Sequence, residues 1–178
     1  MAELKFDPRP LAAEHEIEAI ERRIELSLPA GYRRYLLAHN GAAPLLGTDP
    51  ALGTFVRVRW DGKPAARAGG VALIGDFYSA PKWLEIHEIF RTRIPPETVA
   101  IGNDPGGSQF LLVVKGQACG QILFWHRRYA IGEDERDEGK PAGYENVGFI
   151  ADSFEEFLAK LELEPDDWDV WEAENPAV

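Results

Sequence analysis

Leu28-Pro29-Ala30-Gly31-Tyr32-Arg33-Arg34-Tyr35-Leu36-Leu37-Ala38-His39-Asn40-Gly41-Ala42-Ala43-Pro44 reads as a short helix punctuated at both ends. Pro29 suits the first helical position, where an N–H would have no intrahelical partner. Tyr32, Tyr35, Leu36 and His39 recur at three- and four-residue spacing and so share one face. Asn40-Gly41 supplies the two residue types that most readily adopt the left-handed conformation that ends a helix. Pro44 prevents an immediate restart. The residue types are those of a packing device, and His39 is expected to cap the helix end, where a partly positive imidazole meets the dipole favourably.

Upstream, Leu4 to Leu11 is broken by prolines and reads as irregular. Glu14 to Leu26 reads as an amphipathic helix with Ile17, Ile20 and Ile24 on one face. Two short amphipathic helices cannot bury both apolar faces in each other, so a sheet must complete the core. Downstream, strand patterns cover residues 53–60, with Arg57 and Arg59 on the wet face, and 71–77. A third helix runs from Lys82 to Arg91, and Thr98 to Gly102 is a short strand. Residues 108–114 and 120–126 flank the turn Lys115-Gly116-Gln117 and read as a hairpin of the two most apolar strands. Residues 127–144 are charged and glycine-containing, as exposed loops are. Residues 147–151 form a last strand. Ser153 with Glu156 then makes a capping-box pattern that opens a helix running to Leu163, where Pro165 ends it. One domain over residues 1–163 and an acidic, tryptophan-bearing tail over 164–178 are expected.

The formal charge is −11, and it is unevenly placed. Residues 1–132 hold 14 acidic and 16 basic side chains, whereas residues 133–178 hold 16 acidic and 3 basic ones. The last quarter thus carries −13 against +2 for the rest. Nucleic acid and anionic membrane need a basic footprint and are disfavoured as partners. A basic protein surface is favoured through electrostatic steering, although an acidic tail can also be only a solvated end. No run of about 18 apolar residues exists, and the N-terminus lacks the basic-then-apolar pattern of a signal peptide. With its single cysteine, Cys119, the chain reads as cytoplasmic.

Catalytic signatures are missing. There is no Gly-x-Ser-x-Gly elbow, P-loop or His-Glu-x-x-His. His15, His39, His87 and His126 show no ligand spacing, so no metal is expected. A small-molecule site would need His39, His87 or His126 to converge on an apolar pocket. Residues 102–108 resemble a phosphate loop but lead from strand to strand without a lysine, so a turn is the better reading. No neighbour of Cys119 would activate its thiol. The candidate contact residues are Glu133, Asp134, Glu135, Asp137 and Glu138 in the loop, with Asp166, Asp167, Trp168, Asp169 and Trp171 in the tail. The two tail tryptophans either pack back on the domain or serve as interface anchors flanked by charge.

Leu28-Pro29-x-x-Tyr32-Arg33-x-Tyr35-Leu36-Leu37-x-x-Asn40-Gly41 with Pro44 resembles the signature of the SMI1/KNR4 family, part of the SUKH superfamily. Ile101-Gly102-Asn103-Asp104-x-Gly106-Gly107, then Gly120-Gln121-Ile122-x-Phe124-Trp125, resembles its central hairpin, and Ile150-Ala151-x-Ser153-Phe154-x-Glu156-Phe157-Leu158 its final helix. Asn40-Gly41-Ala42 stands where a double glycine is common, and Ser108 where an acidic residue is frequent. The resemblance implies an α+β fold: a mixed, largely antiparallel sheet of five to six strands, with N-terminal helices and a C-terminal helix packed against it. It implies no catalytic residues and no cofactor. It further implies an immunity protein that neutralises a cognate toxin domain, often a nuclease, which the acidic C-terminal quarter suggests is basic; the alternative is a regulatory or scaffold module that binds a cellular protein or peptide.

Overall fold

The computed structural model describes residues 4–46, 56–62, 69–129 and 142–163. Helix α1 spans Glu14–Ile24 and buries Ile17 and Ile20. Acidic side chains occupy its first turn and Arg22 and Arg23 its last, the arrangement that complements the helix dipole. The Ala13 N–H donates to the Glu16 carboxylate at 2.7 Å, satisfying one donor the helix leaves open. The helix ends two residues before the expected Leu26, because Glu25 turns left-handed (φ 57°) and the Leu26 N–H folds back onto the Glu21 carbonyl. Helix α2 spans Ala30–His39. Pro29 stands just outside it and contributes its carbonyl, which accepts from the Arg33 N–H at 3.0 Å. Proline thus precedes the first turn, one position earlier than expected.

Strand β1 (Leu4–Phe6) pairs antiparallel with β2 (Pro44–Leu46). The proline-broken N-terminus is therefore partly a strand, and Pro44 pairs opposite Phe6. The main sheet comprises β3 (Val56–Gly62), β4 (Gly70–Leu73), β5 (Asp76–Phe77), β6 (Thr98–Asn103), β7 (Gln109–Val113), β8 (Ile122–Trp125), β9 (Val147–Ala151) and β10 (Glu162–Leu163). Its order is β10-β3-β9-β8-β7-β6-β5, with β4 on the other side of β3. Among the described strands every pairing is antiparallel.

Eight strands exceed the expected five or six because two-residue strands carry no readable alternation. The expected strand 71–77 is two strands. The Ile74 N–H bonds to the Val56 carbonyl and the Gly75 N–H to the Asn103 carbonyl, so the chain steps there from one sheet edge to the other. The last helix, α4, spans only Phe154–Ala159, and residues 162–163 pair with Arg57 and Val56 as β10. The Ser153 cap forms as expected, its Oγ accepting the Glu156 N–H at 3.1 Å, but the Glu156 carboxylate reaches one residue past the N-cap and accepts the Asp152 N–H at 2.8 Å.

The hairpin β7–β8 is buried on both faces, as its continuous apolar sequence predicts. Helix α3 (Ala80–Phe90) packs on α1 and β6. Helices α2 and α4 pack on each other, and their aromatic residues meet those of the sheet. Tyr35 lies 4.8 Å from Phe154 and 5.9 Å from Phe77. Phe110 continues the chain of rings to Phe157 (5.8 Å) and Phe124 (5.3 Å), and Phe124 to Trp60 (5.6 Å). Each such side chain removes roughly 150–250 Å² from water, and these rings dominate the core. One expectation fails in β3: Arg59 is exposed, but Arg57 is only 4% exposed. Strand β3 has neighbours on both sides at this point, β4 and β10. Glu162 of β10 supplies an ion pair 3.7 Å from Arg57 and another 3.3 Å from Arg59.

Candidate functional site

The end of α2 is a clasp. Asn40 (φ 45°) and Gly41 (φ 73°) are both left-handed, and the buried Asn40 amide reaches two distant segments. Its Nδ2 donates to the Pro10 carbonyl at 2.8 Å, and its Oδ1 accepts the Ala80 N–H at the start of α3 at 2.9 Å. A Cβ on Gly41 would lie 2.5 Å from the backbone of Tyr78. The Tyr35 hydroxyl closes the turn by donating to the Ala42 carbonyl at 2.6 Å. These residues join the N-terminal segment, α2 and the β5–α3 junction, which is a structural task.

Every candidate contact residue lies outside the described residues: Glu133, Asp134, Glu135, Asp137 and Glu138 of the loop, and Asp166, Asp167, Trp168, Asp169 and Trp171 of the tail. The structure does describe their attachments. Between β8 and β9, His126 and Asn146 exchange two hydrogen bonds, N–H to carbonyl at 2.8 Å and Nδ2 to carbonyl at 2.9 Å. The Arg127 N–H donates to Ser108 Oγ at 3.2 Å, fixing a short 3-10 turn at Arg127–Tyr129. On the returning side, the Tyr144 hydroxyl donates to the Glu97 carboxylate, beside the start of β6. The tail leaves β10 at that same end of the sheet, since β10 runs in line with β9 toward the row of Ala151, Ile122 and Leu112. The turn at 103–108 is a strand-to-strand turn: Asp104 accepts N–H bonds from Gly107 and Ser108, and Gly107 takes φ 83°. Cys119 is exposed in the β7–β8 turn.

A groove of about 370 Å³ opens where the end of α1, the second half of α3 and the start of β6 meet. Ile24, Leu26, Pro96, Val99 and Val114 give it apolar walls; Thr98 and His87 are its polar neutral groups. Arg23 and Arg91 stand at its rim, sharing the carboxylate of Glu88, and Glu25 is its other acid. His87 stacks on the buried Trp83 with ring centroids 5.1 Å apart, and its Nδ1 is buried with no hydrogen-bond partner among the described residues. A proton on Nδ1 would be unsatisfied, so the neutral ring with its proton on Nε2 is favoured. Sequence reading did not find this groove, because its lining comes from elements far apart in the chain.

The three histidines named as possible site residues occupy three settings. His87 lines the groove, His126 contacts Trp60 and Phe124 edge-on, and His39 stacks on Phe6 of β1 at 3.9 Å. Burial holds His39 below the usual imidazole range. It is therefore a neutral aromatic packing element, in place of the partly positive cap expected. Burial also lowers His87, with Arg23 adding to the effect. Both folded pKa values lie below the unfolded value of about 6.5, so the unfolded chain takes up more protons as pH falls. Thermal stability is expected to decline from pH 7 toward pH 5. His39→Gln combined with His87→Gln should flatten that slope, which thermal melts at half-unit pH steps will read.

A family model for the SMI1/KNR4 family (SUKH-1) matches residues 11–160. That span includes α1, the α2 clasp, the central hairpin and α4. No curated protein matches the chain.

Proposed function

We propose, because this chain belongs to the SMI1/KNR4 (SUKH-1) family, that it is a non-catalytic protein-binding domain of the immunity type. It acts in the cytoplasm and neutralises a cognate basic toxin domain, with nuclease domains the first candidates. The family match over residues 11–160 carries this reading. The charge distribution supports it, since the −13 of residues 133–178 would steer and pair with a basic active surface. The acidic loop and the tail are the proposed contact segments; the loop leaves from the Trp125–Val147 end of the sheet, with Tyr144 reaching back to Glu97, and the tail follows Leu163 at the other end.

Titration of the purified chain against basic nuclease-toxin domains, read by calorimetry and size-exclusion chromatography, tests the reading. It predicts a one-to-one complex with one of them and loss of that toxin's activity on binding. Replacing Asp166, Asp167 and Asp169 together with Asn should slow association by about tenfold at low ionic strength. The wild-type and variant rates should converge at high salt. Stopped-flow mixing across ionic strength measures both, and equal rates at low salt remove the tail from the contact surface.

A further inference from the structure

The groove between α1, α3 and β6 has a shape and an address that fit one segment of this same chain. Its volume of about 370 Å³ is at the low end of ligand sites, roughly 300–1,000 Å³, and suits one large side chain. The walls are aliphatic, the floor offers a neutral imidazole, and the rim carries two guanidiniums. An aromatic anchor flanked by carboxylates matches that pattern, because an indole packs on aliphatic walls and against guanidinium groups. The rim is near neutral overall, with Glu25 and Glu88 opposing Arg23 and Arg91, so the electrostatic match is local. It lies in donors that the single Glu88 carboxylate cannot fill, since each guanidinium carries five N–H groups.

The chain holds such an anchor at Asp166-Asp167-Trp168-Asp169-Val170-Trp171-Glu172. Leu163 ends β10 at the end of the sheet that also carries Thr98 and Val113, the pair beside which the groove opens. From the β9–β10 column to β6 is three strand spacings, roughly 15 Å. Five residues from Leu163 to Trp168 span up to roughly 17 Å, and eight to Trp171 roughly 28 Å. The faces agree as well. Val99 pairs with Leu112, on the side of β7 that presents Phe110 to Phe157 of α4, so the groove lies on the face from which α4 leads into β10. We propose that the groove is the docking site of the chain's own tail, seating Trp168 or Trp171 with the neighbouring carboxylates at Arg23 and Arg91. A basic partner that recruits the tail then competes with this internal site.

The test uses the full chain with ¹⁵N-labelled tryptophan and no toxin, so its outcome is separate from that of the proposed function. Trp168→Phe and Trp171→Phe assign the two tail indole N–H signals, and Trp60, Trp83 and Trp125 report that each variant is folded. At least one tail signal is expected away from its position in a synthetic 164–178 peptide, at every protein concentration. It should return to the peptide position in Arg23→Glu/Arg91→Glu, while Lys115→Glu on the exposed β7–β8 turn leaves it in place. Tail signals at the peptide position in the unmodified chain overturn the proposal. So does a displaced signal that ignores the Arg23/Arg91 reversal, or one that appears only at high concentration, which would mark binding to a second copy.

Discussion

Gly41→Ala is expected to destabilise the chain by about 2–5 kcal/mol. Two costs combine. Gly41 holds φ 73°, a conformation that costs an L-residue roughly 1–2 kcal/mol. The added Cβ would also lie 2.5 Å from the carbonyl carbon and oxygen of Tyr78. That neighbour is backbone held in the β5–α3 junction, so it cannot rotate away, and overpacking of this kind costs roughly 1–3 kcal/mol more. For a domain of this size, such a loss lowers the melting temperature by roughly 5–20 °C. Gly116→Ala is the control. Gly116 has φ 85° but open space around it, so only the conformational cost remains, and its melt should fall by no more than about 8 °C. Equal shifts for the two variants would show that the approach to Tyr78 is not what fixes Gly41.

Tyr32→Ala should cost about 3–5 kcal/mol, the range for removing a fully buried aromatic ring. Tyr32 is completely buried, stacked 6.0 Å from Tyr35 and edge-on to Phe154 at 5.2 Å. It ties α2 to α4, so the cavity would open between two helices that rely on each other. Tyr32→Phe should behave differently. Among the described residues the Tyr32 hydroxyl and the Trp83 indole N–H are both buried without a hydrogen bond of good geometry, although the two groups face each other, and burial pushes the Tyr32 pKa well above the usual tyrosine value. Removing this hydroxyl loses at most its weak contact with the Trp83 N–H, about 1 kcal/mol, so this variant should melt within roughly 4 °C of the wild-type temperature. Denaturant melts with unchanged slopes will separate the two cases. A phenylalanine variant as unstable as the alanine one would mean that the hydroxyl, and not the ring, holds the helices together.

Strong local chemistry made some elements readable. Strand β9 has the expected bounds, the β7–β8 hairpin lies within its expected strands, and Asn40-Gly41 and Ser153 act as their side chains dictate. Long-range pairing hid the rest. Residues 4–6 and 162–163 become strands only because Pro44–Leu46 and Val56–Arg57 lie beside them. Arg57 alternates like a surface residue, yet it is buried and ion-paired with Glu162 of β10, which only the folded chain brings beside it. His39 has the sequence position of a cap, but β1 brings Phe6 over its ring. The groove is of the same kind, because Ile24, His87 and Val99 meet only in the folded chain. The candidate contact segments were picked out by their charge and by the two tail tryptophans, and they lie outside the described residues.

The division between a clasp that fixes the fold and acidic segments that choose a partner rests on the immunity reading. Growth of cells co-expressing this chain with basic nuclease-toxin domains, one at a time, tests that reading most directly. The account predicts that the wild-type chain restores growth against one of them, and that the Asp166/Asp167/Asp169→Asn variant restores it less well at equal abundance. Continued killing by all of them in the presence of abundant, folded wild-type chain would contradict it.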